Sequence, residues 1–373
     1  MPSKLPIPEL MLTTGPVPAY PEVLAALSNP LLYDGHPTFQ NYYADVVEKL
    51  RRALRTSDSP VIMQGEAILG IEAAAAALIG KDDVVLNLVS GVYGKGFGRW
   101  AERYGREVVE LAVPYDEVID AAAVRDALQR RPDIRIVSVC HHDTPSGTLN
   151  PLHEIGAAVA ESGAYLIVDA VSSFAGLDVH PQDVSADIFV TSPSKCLGSS
   201  PGLSLLAVSR RAWNKIEANG NAPRESFLSL LAWKDASEPG RPFPVTPSIP
   251  EIYALDAALD RYIGEGPQNV WARHAKTASV MRDGLRGLGL SLWPKRESLC
   301  APTATAFRVP QGWSDVALRD RLLENHGILV SLGRGETAGK ILRVGHMGAS
   351  AEPAFARATV RALDEILSAF RPT

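Results

Sequence analysis

Five short apolar runs alternate with longer amphipathic stretches between about residues 60 and 210. The runs are VVLNLV at 84–89, IRIVSVC at 134–140, YLIVDAV at 165–171, DIFVTS at 187–192 and LSLLAVS at 203–209. Continuous rather than alternating hydrophobicity is typical of strands that helices cover on both faces, as in a parallel sheet. The stretches between them, such as 120–131 and 152–163, have helical composition and end in basic residues or glycine. The pattern therefore predicts an α/β domain with a mostly parallel sheet flanked by helices.

The pattern changes after about residue 210. Five prolines and a glycine lie within 234–250, which is typical of a segment that crosses between domains. Beyond it we expect a long helical region at 251–287, followed by a strand, a helix, two strands and a helix, the order of a smaller α+β domain. We therefore predict an N-terminal segment and a large α/β domain over 1–250, and a smaller α+β domain over 251–373. The proline-rich segment 1–30 is expected to lie across the surface.

The composition is that of an ordinary globular protein. The 37 basic and 42 acidic residues give a net charge of −5, so we expect no nucleic-acid partner. The longest apolar run, 73–79, is far shorter than the ~20 residues of a membrane span, and the N-terminus lacks the apolar stretch of a signal peptide. Three scattered cysteines predict neither a disulfide framework nor a zinc site. His141 and His142 are adjacent and point to opposite faces of a strand, so we expect no metal. We therefore expect a cytoplasmic protein that has no membrane partner.

Polar side chains follow four of the predicted strands at their carboxyl ends. SGVYGKGFG follows 84–89, HHDTPSGT follows 134–140, Asp169 lies near the end of 165–171, and Lys195 follows 187–192. Ligands of open parallel sheets bind at this edge. An aromatic ring, a hydroxyl, a carboxylate and an amine suit a pyridine aldehyde, because a lysine forms a Schiff base and an acid keeps the ring nitrogen protonated. The sequence therefore predicts a pyridoxal site at this edge.

These residues also have structural interpretations. Asp169 could cap a helix, Tyr93 could pack in the core, and Thr144 could form the turn of TPSG. The glycines of GVYGKGFG do not indicate a nucleotide site. The segment lacks the third glycine of a dinucleotide-binding loop and the Lys-Ser/Thr pair of a phosphate-binding loop.

Three motifs resemble those of the class V aminotransferases, a group of fold-type I enzymes that use pyridoxal phosphate. They are VDAVSSFAG with Asp169, SPSKCLGSSPG with Lys195 and KILRVGHMG with Arg343, and with TTGPVPAYPEV they extend over nearly the whole chain. The resemblance implies that Lys195 is the catalytic lysine that forms the aldimine and that Asp169 pairs with the pyridine nitrogen. It also implies a homodimer or homotetramer with sites at the subunit interface.

The same resemblance assigns roles to four further residues. Tyr93 would stack on one face of the ring, and Val171 would cover the other. Thr144 would bond the ring hydroxyl. Arg343 would bind the substrate carboxylate, since a guanidinium presents two parallel N–H donors.

One segment departs from the class V pattern. Class V enzymes bind the cofactor phosphate in a small polar cup at the start of a helix, where backbone donors and the helix dipole favour an anion. Here the cup reads Gly65-Glu66-Ala67, and a carboxylate disfavours a second anion a few Å away. Phe243, three residues before Thr246, stands where the family usually has a tyrosine that contacts phosphate from the neighbouring subunit. Both departures predict a ligand without the phosphate.

These segments resemble a branch of class V in which free pyridoxamine and pyridoxal are substrates. GVYGKGFG, VCHHDTPSGT and GRGETAGK match that branch. The resemblance implies that pyridoxamine and pyruvate are converted into pyridoxal and L-alanine in vitamin B6 degradation, with no tightly bound cofactor. Glu66 would then accept a hydrogen bond from the hydroxymethyl group, and Arg334 would bind the carboxylate together with Arg343. Tyr33 is a further candidate site residue.

Two alternatives stay open at this point. In an ordinary pyridoxal-phosphate-dependent alanine–glyoxylate or serine–pyruvate aminotransferase, Glu66 would only be a favourable acid in the first turn of its helix. A non-catalytic pyridoxal carrier is the second alternative. It is disfavoured by Arg343, because a carrier needs no group that binds a substrate carboxylate.

Overall fold

The computed structural model describes residues 7–369. Residues 1–6, at the start of the proline-rich segment, and residues 370–373, which include the end of the last predicted helix, lie outside the described range. The strands are β1 (Leu10–Leu12), β2 (Val61–Gln64), β3 (Val84–Val89), β4 (Glu107–Ala112), β5 (Ile134–Cys140), β6 (His142–Asp143), β7 (Thr148–Leu149), β8 (Tyr165–Asp169), β9 (Ile188–Thr191), β10 (Leu203–Val208), β11 (Ala304–Arg308), β12 (Ile328–Leu332) and β13 (Ile341–Gly345). The helices are α1 (Pro21–Ala26), α2 (Pro37–Leu54), α3 (Ala67–Leu78), α4 (Val92–Tyr104), α5 (Ala121–Arg130), α6 (Leu152–Ser162), α7 (Arg210–Ala218), α8 (Leu230–Trp233), α9 (Ile249–Glu265), α10 (Pro267–Gly287), α11 (Asp315–His326) and α12 (Pro353–Ala369).

The large sheet has the strand order β2-β10-β9-β8-β5-β3-β4. Strands β4, β3, β5, β8 and β9 run parallel to one another, and β10 runs antiparallel to both β9 and β2. The mostly parallel sheet is confirmed, and the predicted runs 84–89 and 134–140 coincide with β3 and β5. All six residues of β3 are buried, as a strand between helical layers requires.

Strands β2 and β4 were not among the predicted runs. Strand β4 lies at the edge of the sheet, and its acidic residues Glu107 and Glu110 are exposed. Edge strands in contact with solvent commonly carry charged side chains, so β4 lacks the continuous hydrophobicity by which the inner strands were recognised.

Helices α3 and α4 pack against strands at the centre of the sheet, α3 on β9 and β10 and α4 on β3. Close approach is possible because α3 consists largely of small buried residues, with five consecutive alanines at 73–77 and a glycine at its contact with β10. A Cβ on Gly70 would lie 2.6 Å from the Ser204 Cβ. The Ser204 hydroxyl in turn donates to the carbonyls of Gly65 and Glu66. These contacts hold the first turn of α3 against the end of the sheet.

A second sheet, in the order β1-β12-β13-β11, lies in the C-terminal part of the fold. Its core contains Leu12, Phe307 and Leu342, with Leu363 of α12. Strand β1 pairs in parallel with β12, so the N-terminal segment belongs to this sheet. The expectation that segment 1–30 lies across the surface was wrong for this strand. Its backbone groups complete a sheet edge, and this contact joins the two ends of the chain, which hydrophobic patterning does not report.

The helical region predicted at 251–287 is two helices, α9 and α10, which meet at Gly266 with φ +87°. Helix α9 packs against α1 and α2, and its buried face belongs to the core of the large sheet. The domain boundary at residue 250 stays a prediction. None of the helices within residues 7–369 combines the length and the apolar character needed to cross a membrane, and the three cysteines are free thiols.

Candidate active site

A cavity of about 520 Å³ opens at the carboxyl ends of strands in the large sheet. Its walls come from the segments that follow β2, β3, β5, β8 and β9. Seven of the predicted site residues line it: Glu66, Ala67, Tyr93, Asp169, Val171, Lys195 and Arg334. The fold therefore brings together, at one edge, chemical groups from distant parts of the sequence.

Lys195 lies in the turn that follows β9. Its Nζ donates a hydrogen bond to the Thr14 carbonyl at 2.6 Å. Burial lowers the pKa of the Lys195 amino group below that of a free lysine, and the Glu66 carboxylate opposes this effect. A lowered pKa makes the neutral, nucleophilic amine more accessible near neutral pH. The sequence did not single out Thr14, although it lies in the TTGPVPAYPEV motif.

Asp169 ends strand β8, in register with Cys140 of the neighbouring strand β5. Its Oδ1 accepts a hydrogen bond from the Val171 backbone N–H at 3.0 Å. Burial raises the pKa of Asp169 to about 6, whereas the Val171 N–H and the Cys140 thiol act to lower it. A positive charge bound next to this carboxylate would lower its pKa further and keep it ionised. Asp169 can therefore hold a proton on a bound pyridine nitrogen.

Tyr93 lies in the first turn of α4. The N-cap position of this helix is Gly91, which has no side chain to accept a hydrogen bond. The Asp143 carboxylate supplies the missing acceptor, since its Oδ2 receives hydrogen bonds from the N–H groups of Tyr93 at 2.7 Å and Gly94 at 3.0 Å. Burial raises the pKa of Asp143 to about 7. Asp143 thus fixes the helix turn that carries Tyr93. Sequence reasoning missed this residue, although it directly precedes Thr144 in the quoted HHDTPSGT segment.

Of the two predicted carboxylate-binding arginines, Arg334 lies in the β12–β13 connection and Arg343 lies in β13. Arg343 of β13 is buried, and its Nε donates to the Leu332 carbonyl at 2.8 Å. Burial lowers the pKa of Arg343 to about 10, so the guanidinium stays cationic at neutral pH. Arg334 is exposed, and its Nη1 lies 3.4 Å from the Tyr93 hydroxyl. Arg334 and Tyr93 both line the cavity, whereas Arg343 is not among the described residues that line it.

Glu66 is the N-terminal capping residue of α3. Its Oε2 accepts a hydrogen bond from the Ile68 N–H at 2.9 Å, and its side chain also lines the cavity. The same residue therefore caps the helix and lines the cavity, and its contact with a bound ligand stays a prediction. The helix N-terminus that would attract an anion already has one, supplied by the chain itself.

Six predicted residues lie outside the set of described residues that line the cavity: Tyr33, Gly65, Thr144, Phe243, Thr246 and Arg343. Gly65 has φ +142° and directly precedes the capping Glu66. Thr144 is buried, Tyr33 and Thr246 are exposed, and Phe243 packs against Phe39 and Tyr43. The predicted contacts of Thr144 with a ring hydroxyl and of Phe243 and Thr246 with a neighbouring subunit stay predictions.

Among the described residues, one cluster of side chains of the kinds that can ligate a metal lies away from the cavity. Asp178, His180 and Asp183 have ligand atoms within 4.8 Å of one another. Arg55 Nη2 donates to both carboxylates, at 2.9 Å each. The Arg55 guanidinium therefore already binds both carboxylates and offsets one of their two negative charges. His141 and His142 face different partners, the Ser173 hydroxyl and the Thr303 hydroxyl.

Comparison with known proteins identifies the family. The family model of the class V aminotransferases matches residues 38–362. The chain belongs to the class V aminotransferases, and the predicted resemblance and fold type are confirmed. The donor set of the cavity fits the pyridine aldehyde of this class, because carboxylates, an amine of lowered pKa and aromatic rings line the same space.

A relative and a solved structure share the same named activity. The pyridoxamine–pyruvate transaminase of Mesorhizobium japonicum is 55% identical over 362 residues, which cover 97% of this chain and 92% of that relative. The crystal structure of pyridoxamine–pyruvate aminotransferase from Mesorhizobium loti has a TM-score of 0.96 at 55% identity, over 97% of this chain and 93% of that one. The alanine–glyoxylate aminotransferase from Nostoc sp. has a TM-score of 0.93 at 30% identity, over 98% and 97% of the two chains.

Proposed function

We propose that this aminotransferase transfers the amino group of free pyridoxamine to pyruvate and so forms pyridoxal and L-alanine. The observation that carries the proposal is the Glu66 carboxylate, which caps helix α3 and lines the cavity. The similarity to the two Mesorhizobium enzymes supports the same reaction. In this proposal the vitamin is a substrate that leaves after each turnover and is not a tightly held cofactor.

The argument against a phosphate ester is electrostatic. A phosphate at the start of α3 would lie against the Glu66 carboxylate and would have to displace it from the Ile68 N–H. Two anions a few Å apart in a partly buried site repel each other. A neutral hydroxymethyl group has no such cost, and it can donate a hydrogen bond to the same carboxylate. Glu66 therefore favours the unphosphorylated ligand.

The other residues have distinct tasks. The bound pyridine ring acts as the electron sink for the reaction. Asp169 holds the proton on the ring nitrogen, and Tyr93 stacks against one ring face. Arg343 and Arg334 bind the carboxylate of pyruvate or alanine as cationic hydrogen-bond donors. Lys195 Nζ, whose pKa burial lowers, moves the proton between the alanine α-carbon and the C4′ carbon of the ring.

The first experiment is an absorbance titration of the purified protein with pyridoxal and, separately, with pyridoxal phosphate. We expect free pyridoxal to colour the protein, and L-alanine then to remove the colour and release pyruvate and pyridoxamine. A protein that purifies yellow, keeps its colour through dialysis and does not respond to free pyridoxal would instead be a conventional alanine–glyoxylate or serine–pyruvate aminotransferase. Binding of pyridoxal without transamination of any amino acid would indicate a carrier.

The variant Glu66→Ser tests the role of the carboxylate. Serine also caps helices, so we expect the fold to persist while the affinity for pyridoxal phosphate rises and that for pyridoxal falls. Asp120→Ser is the matched control, because Asp120 caps α5 through the Ala122 N–H at 2.9 Å and is not among the residues that line the cavity. Unchanged affinity for pyridoxal phosphate in Glu66→Ser would contradict the proposal.

We also propose that the chain acts as a homodimer or homotetramer. Large apolar side chains are exposed in the single chain near the start of α3 and before α2, at Leu31, Tyr33 and Ile68. Exposed apolar groups of this size are typical of surfaces that another protein covers. Light scattering coupled to size-exclusion chromatography should therefore give a multiple of 40.0 kDa, and a monomer would contradict this expectation.

A further inference from the structure

Thr14 lies in the short segment between β1 and the cavity and is 3% exposed. Its neighbours Gly15 and Pro16 line the cavity. Strand β1 belongs to the second sheet, β1-β12-β13-β11, whereas Lys195 follows a strand of the large sheet. Thr14 therefore lies where the two parts of the fold meet at the site.

Thr14 contacts two of the side chains proposed for the reaction, Lys195 and Arg343. Its carbonyl oxygen accepts a hydrogen bond from Lys195 Nζ at 2.6 Å. Its Oγ1 accepts one from Arg343 Nη1 at 2.9 Å. The Thr14 N–H donates to the Ser331 hydroxyl at 3.1 Å, which anchors the residue to β12. A single buried residue thus connects the reacting amine to the guanidinium.

The Thr14 hydroxyl also sets the orientation of the guanidinium. Arg343 Nε is bound to the Leu332 carbonyl and Nη1 to the Thr14 hydroxyl, so the planar group is held at two points. A guanidinium has five N–H donors, and these two bonds leave three, all on the terminal nitrogens. Two parallel donors of this kind suit a carboxylate. A guanidinium held at one point only could rotate about its last bonds and lose that alignment.

The segment around Thr14 has little room to shift. A Cβ on Gly345 would lie 2.0 Å from the Thr13 carbonyl oxygen, and a Cβ on Gly15 would lie 1.8 Å from Lys195 Nζ. The segment is therefore in close contact with the backbone of β13 at Thr13 and with the catalytic lysine at Gly15. Movement of Thr14 would move either β13, which carries Arg343, or the lysine.

We propose that Thr14 is a positioning residue, which orients Arg343 for the substrate carboxylate and sets its placement relative to Lys195. The inference rests on the proposed function only for the identity of the substrates. It extends that function because it makes the Thr14 hydroxyl a determinant of how pyruvate and alanine bind. The hydroxyl acts through Arg343 and does not need to contact the pyridine ring. Loss of the Thr14 hydroxyl should weaken binding of the keto acid and the amino acid and leave binding of pyridoxamine unchanged.

The test compares Thr14→Val, which keeps the shape and removes the hydroxyl, with Thr14→Ser, which keeps the hydroxyl. Thr13→Val is the matched control, since the Thr13 hydroxyl bonds to the Pro16 carbonyl and the same change is made one residue away. Thr14→Ala serves if the valine variant does not fold. One readout is the KM for pyruvate against the KM for pyridoxamine. The other is an NMR titration with propionate, a carboxylate that has neither a carbonyl nor an amine to react.

For Thr14→Val we expect about a tenfold weaker affinity for propionate and about a tenfold higher KM for pyruvate, the loss typical of one hydrogen bond to a charged group. The KM for pyridoxamine should stay unchanged, and Thr14→Ser should restore propionate binding. Propionate affinity equal in Thr14→Val and Thr13→Val, or an equal rise of both KM values, would overturn the inference. Wild-type protein that binds propionate but does not convert pyridoxamine and pyruvate would refute the proposed function alone.

Discussion

Replacing Gly15 by alanine should separate the stability of the fold from the placement of the catalytic lysine. Gly15 has φ +127°, a conformation that costs a residue with a Cβ about 1–3 kcal/mol. The added Cβ would lie 1.8 Å from Lys195 Nζ, and real Cβ contacts do not fall below 3.0 Å. Nζ must therefore move by at least the difference between these two distances.

The displaced atom is the end of a flexible side chain, so the fold can accommodate the change while the amine cannot keep its place. Movement of Nζ also breaks its 2.6 Å hydrogen bond to the Thr14 carbonyl. A displacement of about 1 Å at a reacting group can lower the rate by about 100-fold. We expect kcat/KM to fall by about that factor, with only a modest decrease in the thermal midpoint.

The assay is steady-state conversion of pyridoxamine and pyruvate, with thermal unfolding followed by circular dichroism on the same samples. Gly163→Ala is the matched control, because Gly163 also has a positive φ of +77° but no atom within 4 Å of the added Cβ. That variant should lose stability and keep its activity. If Gly15→Ala retained kcat/KM within about threefold of wild type, the reasoning about Lys195 would be refuted.

Two further predictions concern the ring site. Asp143→Ala removes the acceptor for the Tyr93 and Gly94 N–H groups, so it should cost about 0.5–2 kcal/mol of stability, as other lost helix caps do, and raise the KM for pyridoxamine. Asp120→Ala, which removes the cap of α5, should cost similar stability without raising that KM, and an equal KM in the two variants would contradict the role of Asp143. Because burial raises the pKa of Asp169 to about 6, its carboxylate is progressively protonated as the pH falls below that value. Affinity for pyridoxine, which has no aldehyde to react with Lys195, should therefore decrease between pH 7 and pH 5 in an absorbance titration, and Asp169→Asn should bind more weakly and lose most of that dependence. Affinity that stays constant over this range in the wild-type protein would show that Asp169 does not control binding of the ring.

The strands that carry the site were predictable because they are buried on both faces. Strands β3 and β5 match the runs at 84–89 and 134–140, since a strand between two helical layers is apolar at most of its positions. The location of Tyr93, Asp169 and Lys195 was predictable for a related reason. Asp169 ends such a strand, and Tyr93 and Lys195 lie a few residues after one, so the edge of the sheet on which they meet follows from the strand direction. Their individual roles were implied by the resemblance to class V.

Other features depend on contacts that local sequence does not encode. The antiparallel direction of β10 is set by its pairing with β2 and β9, whereas its apolar composition is the same as that of a parallel inner strand. The division of the predicted helix at 251–287, by contrast, has a local cause: it occurs at Gly266, directly before Pro267, which begins α10. A proline disfavours helical backbone in the residue before it, a signal that the helical composition over 251–287 obscured.

The sequence by itself determined the family, the order of the main elements of the large sheet, and the chemical groups available at the site. These follow from local hydrophobicity and from motifs that lie next to individual strands. Only the tertiary structure decided how those groups are held. Thr14 meets Lys195 and Arg343, and Asp143 caps the helix turn of Tyr93. Such contacts join segments that are far apart in the sequence, and each depends on the packing of the whole chain around the cavity.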